Sequence, residues 1–116
     1  MAKHNFRELK IWQDSMKLVK AVYLALEEMP KDERFSLTSQ ISRAVVSIPS
    51  NIAEGSGRDS NKEFKRFLNI SLGSCYEVET QLILIKDLLR IETAEIISEC
   101  QSIQRMISGF AKSLTI

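Results

Sequence analysis

Histidine is almost missing from this chain, with His4 the only one in 116 residues. A general base, a catalytic triad or a histidine-rich metal site would therefore lack a well-placed imidazole. A di-metal carboxylate site of the helical-bundle kind calls for Glu-x-x-His pairs, and the sequence has none. The expectation is a protein that is not an enzyme and carries no cofactor. Only two prolines and four glycines are available to stop a helix. Cys75 and Cys100 form no CxxC pair and each falls on an apolar stripe, which reads as two buried, reduced thiols. No apolar run approaches the roughly 20 residues of a membrane span. The charged start MAKHNFRELK has no apolar centre of the signal-peptide kind, so a cytoplasmic protein with no membrane partner is expected. An excess of charge is also lacking: 16 Lys and Arg stand against 15 Asp and Glu, a net charge of +1. Any nucleic-acid or acidic partner would have to be held by a local patch. What is present is 44% hydrophobic and 27% charged residues, the composition of one globular domain over residues 1–116.

The sparse punctuation divides the chain into four amphipathic segments, at about residues 6–29, 37–56, 60–90 and 93–114. Asn5 with Glu8, and Ser60 with Glu63, have capping-box spacing, and Ser36 is a natural N-cap for the second helix. Leu9, Trp12, Met16, Val19, Tyr23 and Leu26 form a heptad line on the first helix, which places Trp12 and Tyr23 in the core. Phe64, Leu68, Cys75, Val78, Leu82 and Ile85 continue the alternation on the third helix, as Ile96, Cys100, Ile103 and Ile107 do on the fourth. The GSGRD stretch reads as a helix stop. Short connections give an all-α, antiparallel up-down-up-down four-helix bundle. Pro49 falls inside the second helix, where a proline costs about 3 kcal/mol or more and favours a kink.

The second helix carries two stripes. Ile41, Val45, Ile48 and Ile52 make a core face, while Gln40, Arg43, Ser47, Asn51 and Glu54 recur at the same spacing beside it. Surplus apolar residues appear as well: Ile11, Leu18, Val22 and Ala25 on the first helix, and Phe67, Ile70, Leu72, Tyr76, Ile83, Leu84 and Leu88 on the third. Helices apolar on two sides usually bury the second against another copy, so a homo-oligomer is expected.

Three segments carry a family resemblance: FRELKIWQDSMKL, QISRAVVSIPSNIAEG followed by Gly57 and Arg58, and EFKRFLNISLGSCYEVETQL. Through them nearly the whole chain resembles the four helix bundle protein family, also called 23S rRNA intervening-sequence or S23 ribosomal proteins. Many members have a second arginine or a small residue where this chain has Ser42, Val45 and Val46. The resemblance implies a left-turning antiparallel bundle, a ring-like homopentamer with a central channel, and no enzymatic activity. Some members are encoded inside intervening sequences of 23S rRNA genes. Similar proteins are accessory variability determinants of diversity-generating retroelements, where a basic pentamer binds reverse transcriptase and nucleic acid. For the family at large the role is not established.

Two groups of residues are candidates for function. Arg43, Ser47, Asn51, Glu54, Arg58 and Glu77 are expected to form a polar network between helices or subunits. In it Glu54 and Glu77 would accept hydrogen bonds from Arg43, Arg58 or Arg66. Lys3, Arg7, Lys10, Lys17, Lys62, Lys65 and Arg66 are candidate contacts to RNA or DNA. Each patch is small, but repetition around a ring would make a continuous basic band. Against this, residues 67–116 carry six acids and four bases, and few aromatics look free to stack on bases. The alternative is a protein-interaction scaffold that binds no nucleic acid.

Overall fold

The computed structural model describes residues 4–33 and 36–115 of the chain. Four α-helices carry the fold: α1 (Lys10–Leu26), α2 (Leu37–Ser56), α3 (Asn61–Leu89) and α4 (Ala94–Ser113), with short 3-10 turns at Phe6–Glu8 and Lys31–Glu33. Among the described residues there is no strand, and no helix is long and apolar enough to cross a membrane. Each helix packs against its neighbour in sequence, and α4 closes back onto α1. The α2–α3 seam is the most extensive of the four and α1–α4 the slightest.

One core cluster draws on all four helices. Ile41, Val45, Ile48 and Ile52 of α2, the face expected from their spacing, are fully buried. They meet Phe64, Leu68, Val78 and Leu82 of α3 and Cys100, Ile103 and Ile107 of α4. Burying each large apolar side chain stabilises by about 1.5–3 kcal/mol, so which line of a helix faces inward is decided by packing.

On α1 that decision goes against the heptad line. Ile11, Ser15, Leu18 and Val22 are buried, about 100° around the helix from the expected stripe. Leu9, Trp12, Val19 and Leu26 pack half-buried beside them, whereas Met16 and Tyr23 face outward, Tyr23 with 48% of its surface exposed. The chemistry favours this rotation. Turned inward, the Tyr23 hydroxyl and Trp12 indole N–H would need buried partners, while Ile11, Leu18 and Val22 need none.

Local chemistry also shifts some boundaries. The first helical stretch divides at Leu9, whose backbone is extended, and the Asn5 side chain accepts from the Arg7 amide of the 3-10 turn, not from α1. Ser60 does cap α3, its Oγ accepting from the Glu63 amide at 3.2 Å. α2 runs uninterrupted through Pro49, which is buried, and ends at Ser56 with Gly57 as its C-cap, within the glycine-rich stretch read as its stop. α3 ends at Arg90, whose left-handed backbone (φ 61°) lets its amide reach the Lys86 carbonyl.

Candidate functional site

The α2–α3 seam concentrates the polar candidates, and a glycine sets its geometry. A Cβ on Gly55 would lie 2.6 Å from Phe67 Cβ and 3.0 Å from Phe64, so only glycine lets the two helices approach this closely. Higher along the seam, buried Ser71 donates to the Ile48 carbonyl at 2.8 Å. Beyond it, Ser47 Oγ and Ser74 Oγ share a hydrogen bond at 2.9 Å, and Asn51 Nδ2 donates to both the Ser47 carbonyl and Ser47 Oγ. Moving along α2 from Ser47 to Gly55, the partners on α3 fall back from Ser74 to Phe64.

Of the six network candidates, then, the structure brings Ser47 and Asn51 together and joins them to Ser74. Glu54 and Arg58 pair with each other, as expected, while Arg43 and Glu77 sit apart from the rest. Glu54 takes Arg58 at 3.1 Å one turn away, Arg43 donates to Ser39, and Glu77 accepts from Gln81. No hydrogen bond links Glu54 or Glu77 to Arg43 or Arg66 among the described residues. The Arg58–Glu54 pair is exposed, where such pairs contribute about 0–1 kcal/mol.

The basic candidates separate into paired and unpaired groups. Lys10 is held by Asp14 at 2.9 Å and Arg66 by Glu63 at 3.1 Å. Arg58 and Arg66 each place a guanidinium 4.7 Å from the centre of the Phe67 ring. Phe67, expected on the surplus apolar side, is thereby buried. Lys17 and Lys62 are exposed and Lys65 half-buried, with no ion pair among the described residues. Arg7 is exposed in the first 3-10 turn. Lys3 lies outside the described residues.

Two features were not anticipated from the sequence, a clamp on Glu79 and the packing of His4, whereas the buried, free thiols of Cys75 and Cys100 are as expected. Glu79 of α3 accepts from Gln101 Nε2 at 2.9 Å and Gln104 Nε2 at 2.8 Å, both on α4. These two amide donors hold its carboxyl below the usual range. Behind them, the Cys100 thiol donates to the Cys75 carbonyl at 3.3 Å, and both thiols are free and buried. Contact with Cys100 and burial push the Cys75 thiol up. His4 packs on the rings of Phe64 (5.1 Å) and Phe110 (6.0 Å). The i, i+3 glutamines on α4 were the available signal for the Glu79 clamp. Among the described residues no group of three or more His, Cys, Asp or Glu side chains is placed to hold a metal ion.

Comparison with known proteins places this architecture. A protein of unknown function from the S23 ribosomal protein family of Bacteroides thetaiotaomicron VPI-5482, known from a crystal structure, matches with a TM-score of 0.79. It is 24% identical, and the match covers 89% of this chain and 99% of that one. That likeness establishes the four-helix fold. No curated protein matches the chain. The family model for the 23S rRNA-intervening sequence protein matches residues 7–109, which is most of the sequence, and the chain belongs to that family.

Proposed function

We propose that the protein is a non-catalytic scaffold: an antiparallel bundle that self-assembles, as a ring-like homopentamer, and presents basic segments to RNA or DNA. One observation carries the self-assembly. The core closes without Ile70, Leu84 and Leu88, which lie with Glu77 at seven- and four-residue spacing along one edge of α3 and stay exposed, Leu88 by 66%. Gln81, on the same edge, is buried with its Oε1 lacking a partner among the described residues. An unmet buried acceptor costs about 1–3 kcal/mol, so this edge of α3 is not fully satisfied in a single copy. The number five and the central channel come from the resemblance. The unpaired Lys62 and Lys65, close to the stacked Arg58 and Arg66, support the nucleic-acid part of the reading.

A second reading, a protein scaffold with no nucleic-acid binding, draws on the ion pairs that already engage Lys10, Arg58 and Arg66. Light scattering on a sizing column and RNA titrations across salt distinguish the two. The first reading expects a mass near five chains, a smaller mass for Leu84→Glu with Leu88→Glu, and RNA affinity that falls steeply with salt and with Lys62→Glu. A monomer mass for the native protein overturns the ring. RNA binding that is absent at low salt leaves the second reading.

A further inference from the structure

The α1–α4 seam, away from the serine cluster, opens into a groove made of two adjoining pockets. Its upper part, about 520 Å³, lies between the end of α1 and the start of α4. The lower part, about 280 Å³, shares Ala21 with it and runs on toward Asp14. Ala21, Leu24, Ala25, Ile96 and Ile103 give the groove an apolar lining, and Leu24 is 65% exposed although it adjoins the core helices. From Asp14 to Ala25 the groove follows α1 for about 17 Å, three turns of a helix.

Its rim is mainly acidic. Glu28, in the turn after α1, lines the upper part with Glu92 and Glu95, while Glu99 lines the lower part with Asp14 and Lys17, the one base in the lining. Asp14 is already answered by Lys10, and Glu92 accepts from the Ala94 amide. Glu28, Glu95 and Glu99 have no ion pair among the described residues.

We infer that this groove is a docking site for a basic amphipathic helix of a partner protein. The acidic rim repels the phosphates of nucleic acid and favours Lys or Arg flanking an apolar stripe. An extended peptide would lay its own N–H and C=O groups on an apolar floor with no strand edge to pair them, whereas a helix satisfies its backbone internally. The short Ala21 and Ala25 side chains leave room for the partner's large ones. This inference stands apart from the ring and from the basic band.

The test uses the full chain and a fluorescein-labelled helical peptide about three turns long, with leucines on one face and flanking lysines. Fluorescence anisotropy is expected to report binding that weakens as salt rises. Glu28→Lys with Glu95→Lys is expected to weaken it at least tenfold, and Ala25→Trp, checked for folding by circular dichroism, to abolish it. The same peptide with glutamates in place of lysines is expected not to bind. No binding of the basic peptide, or binding unchanged in both variants, overturns the inference. So does a fall in the assembly mass of Ala25→Trp with no peptide bound to the native protein, which would assign the groove to a second copy. RNA titrated against the same variants keeps the two proposals separate, since loss of RNA binding alone leaves the groove untouched.

Discussion

Short side chains line two seams of this protein, and the two behave differently. Between α2 and α3, Gly55 admits the Phe67 and Phe64 side chains, while Ser47, Ser71 and Ser74 hydrogen-bond across the contact. Between α1 and α4, Ala21, Ala25 and Ala94 are equally small, yet the helices stand apart around a groove. Small residues permit close approach but do not drive it. On the first seam each gap receives a ring or a matched donor. On the second the alanines meet no complementary group, and glutamates on both sides repel one another.

The comparison is broken most directly at Gly55. Gly55→Ala forces a Cβ against Phe67, for which overpacking costs about 1–3 kcal/mol. The gain in helix propensity returns about 1 kcal/mol at most. A net loss of up to about 2 kcal/mol in urea unfolding is expected; an equally stable variant would mean the seam can part without penalty. Ser71→Ala removes a buried hydrogen bond to the Ile48 carbonyl, and about 1 kcal/mol is expected to go with it, since that carbonyl keeps its place in the helix.

The α3–α4 seam sharpens the contrast through pH. Because its folded pKa is lowered by Gln104 and Gln101, Glu79 contributes stability that is present above the ordinary carboxyl value of 4.5 and lost as pH falls through the folded value. Glu79→Gln is therefore expected to unfold at lower urea than the native chain at pH 7, with the gap narrowing at pH 3. A gap that stays constant with pH would detach the carboxylate from that stability. The smallest effect belongs to the open seam. Glu28→Lys is expected to raise the melting temperature slightly at low salt and to change nothing at high salt, as like-charge repulsion is first relieved and then screened.

The four helices and the inner face of α2 were legible because glycine, proline and capping residues punctuate the sequence and Ile41, Val45, Ile48 and Ile52 form one unambiguous line. α1 was misread because it carries two apolar lines, and periodicity cannot choose between them; the unmet polar atoms of Trp12 and Tyr23 do. The glycine-rich stretch ends the second helix where the sequence places its stop, but the close approach of Gly55 to Phe67 leaves no local trace. The polar stripe marked Ser47 and Asn51, but Ser74 joins them from another helix. Glu79 joins Gln101 and Gln104 in the same way, and such pairings are set by which turns face one another.

Cys75 and Cys100 give the molecule a clock for its own breathing. They are its only thiols, they touch across α3 and α4, and neither reaches solvent while those helices stay together. A thiolate must form before a disulfide reagent can be attacked, and burial keeps Cys75 protonated. At reagent concentrations high enough for reaction to outpace reclosing, the rate at which the reagent is consumed under native conditions counts how often the α3–α4 seam parts, and at low concentration it reports the open fraction. It allows the motion of one seam to be timed with no label added to the protein.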